Sequence, residues 1–232
     1  MNKKDSYMKI IAVISQKGGS GKTTLALHLA VATAAAGKNT AIIDLDPQAS
    51  ATKWSDRREA ELPVVISAHA SRLPNEIQRI KDAGCEILFL DTAPHSDSAA
   101  LEAAKIADVV LVPCRPAIMD MEAITNTLDL IRTKNAAIYV VMNATSAQGQ
   151  EAKEAIEAIA QLEVSVCPIQ LVNRVAFSRS IITGQTAQEI EPSGKAAKEI
   201  SDLHLFMCAH MNKCNTKSEE KGNHVKQIRQ RA

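Results

Sequence analysis

The sequence is poor in aromatic residues, which make up only 3% of its 232 residues and include a single tryptophan. Hydrophobic residues nevertheless total 46%, and most of them are alanine, isoleucine, valine and leucine. Small and branched side chains of this kind suit helices packed closely on a buried parallel sheet, and they argue against an all-β sandwich. A chain of this length is expected to form one domain around one sizeable core.

The sequence also lacks the marks of a secreted or membrane-spanning protein. Its cysteines are odd in number and include no Cys-x-x-Cys pair, which predicts reduced thiols in a cytoplasmic protein. Residues 1–9 are polar and charged, so no signal peptide is expected. No apolar run reaches the roughly 18 residues that a spanning helix needs. The five cysteines are Cys85, Cys114, Cys167, Cys208 and Cys214.

The sequence also lacks a large excess of either charge, since its formal net charge is +1. The charged residues are nevertheless unevenly distributed. From His204 to the C-terminus there are six Lys/Arg and two Asp/Glu residues. A basic segment of this kind can attract an anionic polymer or surface, although the simpler interpretation is a solvated terminus. We therefore expect residues 1–211 to form the folded domain and residues 212–232 to form a basic, flexible tail.

Apolar runs of strand length alternate with segments of helical periodicity along the chain. This alternation predicts a three-layer α/β fold with a mostly parallel, twisted sheet and helices on both faces. The predicted strands are 10–14, 40–43, 64–66, 87–90, 109–112, 138–142 and 164–169. The predicted helices are 25–36, 50–61, 72–83, 97–107, 118–134, 149–162 and 193–211. Ligands of such sheets bind beyond the carboxyl ends of the strands, where Asp44, Asp91 and Asn143 are found.

The most informative segment is residues 15–24, which read Ser-Gln-Lys-Gly-Gly-Ser-Gly-Lys-Thr-Thr and lie between a predicted strand and a predicted helix. We call it the phosphate loop. Glycines allow consecutive backbone N–H groups to converge on phosphate oxygens, and the helix N-terminus adds positive potential. The first glycine of the general P-loop pattern would fall at Gln16, so the pattern is not strictly met. The predicted phosphate ligands are Gly18, Gly19, Ser20, Gly21, Lys22, Thr23 and Thr24.

Three aspartates near strand ends are candidate partners of Mg²⁺, directly or through water. Asp44 and Asp46 follow the second predicted strand, and Asp91 follows the fourth. Carboxylates and the Thr23 hydroxyl are ligands that Mg²⁺ accepts. Capping of a helix N-terminus is the alternative for any one of these aspartates.

Taken together, these motifs resemble those of the ParA/MinD ATPases, whose phosphate loop is a deviant Walker A motif. The resemblance covers about residues 8–206. Besides the loop, it is carried by Asp44-Leu-Asp-Pro-Gln-Ala-Ser50, by 87–94, by Asn143, and by 174–184 with 189–197. The resemblance implies a P-loop NTPase fold that binds ATP and Mg²⁺ and hydrolyses ATP slowly without a partner.

The resemblance also implies roles for individual residues. Asp91 is the Walker B residue, Asp44 lies beside the metal or its waters, and Asp46 orients the attacking water. Lys17 is the signature lysine that reaches the nucleotide of a second subunit, so the resemblance predicts a homodimer in the ATP state. Asn143 and Pro168 are expected to contact adenine.

Within this family the sequence favours a short ParA-type partition ATPase of a plasmid or chromosome. The phosphate loop starts within about 20 residues of the N-terminus, so no helix-turn-helix domain is expected before it. The implied ATP dimer binds DNA non-specifically in the nucleoid, and a ParB-type centromere-binding protein stimulates hydrolysis. The candidate DNA contacts are Arg174, Arg179, Lys195 and Lys198, which could equally form surface ion pairs.

Two alternatives keep the same chemistry but change the cargo. A MinD-like membrane ATPase would need a C-terminal amphipathic helix, and residues 223–232 offer only Val225 and Ile228 for its apolar face, so no membrane partner is expected. An ATPase that positions a protein assembly is not separated from the partition ATPase by sequence.

A cluster of metal-ligating residues near the C-terminus is the remaining candidate site. Its members are His204, Cys208, His210 and Cys214, and pairs four residues apart share a helix face. The four together do not share one face, so chance cysteines at a helix end remain the simpler interpretation.

Overall fold

A computed structural model describes residues 7–132 and 136–211. Seven parallel strands form one sheet in the order β3-β2-β4-β1-β5-β6-β7. All seven predicted strands are present, although β7 has only two residues. They are β1 (Lys9–Val13), β2 (Thr40–Asp44), β3 (Val64–Ser67), β4 (Ile87–Asp91), β5 (Val109–Cys114), β6 (Ala137–Met142) and β7 (Ser165–Val166).

Nine α-helices are described, and a short 3₁₀ turn, Ala70–Arg72, precedes α3. They are α1 (Lys22–Ala35), α2 (Ser50–Ser55), α3 (Leu73–Asp82), α4 (Asp97–Ile106), α5 (Ile118–Ile131), α6 (Glu151–Ala160), α7 (Val175–Ile182), α8 (Ala187–Ile190) and α9, described over 195–211. The prediction did not include α7 and α8. The proposed tail, 212–232, lies outside the described residues.

Helix α2 is shorter than the predicted 50–61, because the chain after it serves a tertiary contact. The Arg58 guanidinium lies over the Trp54 ring at 4.8 Å and pairs with the Glu189 carboxylate at 2.8 Å. Arg58 also donates to the carbonyl oxygen of Leu62, four residues further on. These contacts turn the chain away from a helical path.

The central strands β1, β2, β4 and β5 are buried on both faces, which explains why they are nearly continuous apolar runs. Successive β1 side chains point to opposite faces. Ile10 and Ala12 join the core beneath α3–α6, whereas Ile11 and Val13 join the core beneath α1 and α9. The predicted three-layer α/β architecture is therefore confirmed.

The strand order places the polar strand ends side by side. Strand β4 lies between β2 and β1, and Asp44 pairs in register with Asp91, which in turn pairs with Val13. Because the phosphate loop follows β1 directly, Asp91 stands next to the loop and Asp44 one strand further away. Strand β1 has β4 on one side and β5 on the other, so the strand order reverses at β1. Sheets of this kind bind ligands in the crevice beyond the carboxyl ends of the strands at such a point.

Candidate nucleotide site

The backbone of the phosphate loop requires glycine at two positions. Gly19 and Gly21 have φ angles of +71° and +98°, a region that L-residues rarely adopt. A Cβ at Gly21 would also lie 2.1 Å from the side-chain nitrogen of Asn143. Helix α1 begins at the next residue, Lys22, so the loop ends at a helix N-terminus that attracts anions.

Lys22 and Lys17 occupy different positions in this loop. The Lys22 side chain is buried, and its Nζ donates a hydrogen bond to the Lys17 carbonyl oxygen at 3.0 Å. Burial lowers the pKa of Lys22, and attraction to Asp91 and Asp46 opposes that shift. The side chain of Lys17 is half-buried and forms no ion pair among the described residues.

Asp91 is the strongest candidate for holding a cation. Its carboxylate is fully buried, and neither oxygen accepts a hydrogen bond within the described part of the chain. Burial raises the pKa of Asp91 to about 7, while the nearby Thr23 hydroxyl and Lys22 ammonium lower it. A buried, unpartnered carboxylate beside a threonine hydroxyl fits a site for Mg²⁺ and its waters.

Asp44 differs from Asp91 because protein groups already satisfy its carboxylate. Its Oδ1 accepts the backbone N–H of Asp46 at 3.1 Å, and its Oδ2 accepts the backbone N–H and hydroxyl of Thr52 at 3.0 and 3.2 Å. Asp44 therefore fixes the segment between β2 and α2. That segment presents the half-buried Asp46, whose Oδ1 accepts the Gln48 N–H at 2.9 Å.

An open cleft of about 420 Å³ lies between the phosphate loop and Asp46. Six of the candidate residues from the sequence line it, and Ser50, Pro94, Arg115 and Ile181 line it as well; the six are Gly19, Gly21, Lys22, Thr23, Thr24 and Asp46. The candidates Lys17, Asp44 and Asp91 do not line it. The sequence prediction missed Arg115, although the rule that identified Asp91 applies to it, since Arg115 directly follows the carboxyl end of β5. Ile181 belongs to α7, so the C-terminal helices close one side of the cleft.

The two predicted adenine contacts have distinct surroundings. The Asn143 side chain donates to the Ser20 carbonyl oxygen at 2.7 Å, so in this structure it supports the phosphate loop. Pro168 follows β7 and is exposed. Contact of either residue with adenine stays a prediction.

His28, which the sequence analysis did not select, links the loop to α8. Its Nδ1 lies 2.8 Å from the Thr24 carbonyl oxygen, and its Nε2 lies 3.0 Å from the Ala187 backbone nitrogen. Nδ1 therefore carries the proton, and Nε2 accepts the Ala187 N–H. Burial lowers the pKa of His28 to about 4, which keeps the ring neutral. A lone histidine in an apolar helix gave no signal for this role.

The four candidate DNA contacts divide into two pairs. Arg174 forms an ion pair with Glu199 at 2.6 Å, and Lys198 pairs with Asp202 at 3.0 Å. Arg179 and Lys195 are exposed and take part in no ion pair among residues 7–132 and 136–211.

The candidate metal cluster on α9 is not assembled by the described residues. His204 and Cys208 approach within 3.4 Å, but the His210 ring forms a hydrogen bond with the Phe206 carbonyl oxygen and packs edge-to-face against Tyr139 and at a tilt against Phe206. Cys214 lies outside the described residues. Within the described ranges no group of three or more metal-ligating side chains converges. Nor does any helix there combine the length and apolarity needed to cross a bilayer.

Comparison with known proteins agrees with this geometry. Residues 11–187 match the family described as the CobQ/CobB/MinD/ParA nucleotide binding domain. The chain is 26% identical over 218 residues to Protein ParA of Rhizobium radiobacter, covering 89% of this chain and 97% of that protein. It is 35% identical over 130 residues to the maintenance of carboxysome distribution protein A of Gloeobacter kilaueensis, covering 55% of this chain and 59% of that protein.

Solved structures show the same fold. The cell division ATPase MinD of Pyrococcus furiosus superposes with a TM-score of 0.69 at 20% identity, covering 89% of this chain and 99% of that one. The ATP complex of a Cyanothece McdA variant gives a TM-score of 0.69 at 15% identity, covering 85% and 95%. The chain belongs to the CobQ/CobB/MinD/ParA nucleotide-binding family, and it is an ATPase of the ParA/MinD kind.

Proposed function

We propose that this ParA/MinD-family ATPase is a DNA-partition ATPase whose ATP-bound dimer binds DNA non-specifically and is released by a centromere-binding partner of the ParB type. The observation that carries the proposal is a cleft lined by the phosphate loop and Asp46, with the buried Asp91 carboxylate beside Lys22 and Thr23 and without a hydrogen-bond partner among the described residues. Lys17 does not line this cleft. Such a dimer would associate with the nucleoid.

Each charged residue in or beside the cleft has a separate task in this proposal. Lys22 and the loop N–H groups bind the β- and γ-phosphates, and Thr23 and Asp91 hold Mg²⁺. Asp44 keeps Asp46 in place, and Asp46 orients the attacking water. Phosphoryl transfer depends mainly on positioning and on neutralising charge, so these few groups suffice.

Dimerisation would complete the site across the open mouth of the cleft. The Lys17 side chain is available to reach a second subunit and would stabilise charge developing on its nucleotide, as an arginine finger does. Helix α7, which contributes Ile181 to the cleft, also presents Val175 and Ile182 at 75% and 70% exposure. An exposed apolar surface beside the cleft suits contact with a second copy.

DNA binding would come from basic side chains that remain unpaired on the surface. Arg179 lies on the same exposed face of α7 as Val175 and Ile182, and Lys195 opens α9. Non-specific binding needs only such cations placed against phosphates, and a dimer doubles a modest set.

The deciding experiment measures binding to a random-sequence DNA duplex with ATP, with ADP and without nucleotide, across a salt series. Binding only with ATP, weakening steeply with salt, is the expected result. Absence of DNA binding in all three states, with ATP dimers still forming, would contradict the partition role. A double variant, Arg179→Gln with Lys195→Gln, should lose this ATP-dependent DNA binding.

A second candidate function is the positioning of a protein assembly. It is favoured by the 35% identity to a protein named for carboxysome distribution, although the matched segment spans only 59% of that relative. Both functions use the same cleft. The two functions differ in the partner that stimulates hydrolysis. It would be a DNA-bound centromere protein for the partition ATPase and a protein bound to the assembly for the positioning ATPase.

A further inference from the structure

A groove of about 540 Å³ runs between α5 and α6 and is separate from the nucleotide cleft. One wall includes Ile118, Met121 and Glu122 from α5, which share one helix face. The other wall includes Glu151, Glu154 and Ala158 from α6. Ile118 is 80% exposed, a large fraction for an isoleucine beside a concave surface.

The groove is strongly acidic in a chain that is almost neutral. Together α5 and α6 carry six Asp/Glu residues and one lysine, Lys153, whereas the whole chain has a net charge of +1. Glu122, Glu151 and Glu154 form no ion pair within the described residues. Apolar side chains are thus flanked by unpaired carboxylates, so the complementary ligand has apolar and positively charged faces.

We propose that this groove binds a basic amphipathic helix of the partner protein. Leucine-like side chains spaced i, i+3, i+4 would contact Ile118, Met121 and Ala158, and lysines or arginines beside them would meet the three glutamates. DNA is a poor occupant, because its phosphates would face these carboxylates.

The groove lies next to the catalytic apparatus. Pro116 lines the groove, and the preceding residue, Arg115, lines the nucleotide cleft. On α5, the Thr127 hydroxyl accepts the backbone N–H of Gln16 at 3.1 Å, and Gln16 precedes Lys17. A helix docked on α5 therefore contacts an element bonded to the phosphate loop. That consequence rests on the proposed partner-stimulated ATPase, whereas binding in the groove does not.

The test uses a fluorescent peptide of about 18 residues, or five helical turns, with lysines on one face and leucines on the other. Its binding to the full chain is followed by fluorescence anisotropy, with a scrambled peptide of the same composition as control. Reversing two charges, Glu122→Lys with Glu154→Lys, should weaken binding on the order of tenfold, because two attractions become repulsions. Glu157→Lys makes the same change on α6 outside the groove and should alter binding less than about twofold.

Equal weakening by Glu157→Lys, or equally tight binding of the scrambled peptide, would overturn the proposal. Ile118→Ser should also weaken binding several-fold at high salt, where screening leaves the apolar contact. Unchanged binding of that variant under those conditions would contradict the apolar half of the site. Because binding is scored without hydrolysis, a chain that binds the peptide but never DNA would refute the partition role and retain the groove.

Discussion

The phosphate loop and the C-terminal segment 174–199 both present cations, but they position them by different means. In the loop, two positive-φ glycines and the start of α1 place Lys22 through short-range geometry. In the C-terminal segment, Glu199 pairs with Arg174, 25 residues away along the chain, while Arg179 stays exposed. Local sequence thus decides the role of a charge in the first region, and tertiary contacts decide it in the second.

Asp91→Asn should give the largest effect on the loop side of this comparison. An amide cannot supply the charge that a buried Mg²⁺ site needs, so ATP hydrolysis should fall about a hundredfold or more. Steady-state phosphate release measures this loss. The exposed Asp56→Asn is the control and should hydrolyse ATP at the wild-type rate.

The same variant should remove a pH dependence of folding. Burial raises the folded-state pKa of Asp91 from its ordinary value of 3.8 to about 7, so stability is full below about pH 4 and is lost as pH rises to about 7. The loss in nucleotide-free protein amounts to at most about 4 kcal/mol. Urea unfolding at pH 5 and pH 8 should show a smaller difference for Asp91→Asn than for wild type. Identical differences would mean that Asp91 is not held in this environment.

Lys17→Ala should separate binding from dimerisation within the loop. Nucleotide affinity should change only a few-fold, because Lys22 and the backbone hold the phosphates, whereas ATP-driven dimers should be lost. Analytical ultracentrifugation with ATP and with ADP distinguishes the two effects, with the exposed Lys53→Ala as control. Normal ATP dimers of the Lys17→Ala chain would refute its role as the signature lysine.

This contrast also explains what the sequence could and could not predict. Strand ends and the loop were found because a parallel sheet buried on both faces leaves continuous apolar runs ending in polar residues, such as β4 before Asp91. Helices α7 and α8 were missed because they are short and are stabilised by distant contacts, including His28 and Arg58. For the same reason, nothing local distinguishes the paired Arg174 from the exposed Arg179.

Gly184→Ala tests whether the C-terminal segment depends on tertiary fit. A Cβ there would lie 2.5 Å from the Arg57 carbonyl group, and φ is +71°. Backbone strain and a clash that only a main-chain shift can relieve should cost about 2–3 kcal/mol in unfolding free energy. Gly37→Ala is the matched control, with φ +80° and no heavy atom within 4 Å of its Cβ, and should cost about 1 kcal/mol. If both variants lost the same unfolding free energy in urea, the positive φ angle would explain the loss at Gly184 without any contribution from the clash with Arg57.

Arg174→Gln and Arg179→Gln should give the smallest effects, and the two variants should affect different properties, stability in the first and DNA binding in the second. Arg174→Gln leaves Glu199 without its ion pair, which should lower the unfolding free energy by about 1 kcal/mol and change DNA affinity little. Arg179→Gln should leave stability unchanged. In the proposed DNA-binding dimer it removes one phosphate contact per subunit, so the logarithmic salt slope should fall by about 2. If both variants lost DNA binding alike without loss of stability, Arg174 would exchange Glu199 for a phosphate when DNA binds, and the pairing seen here would describe only the DNA-free state.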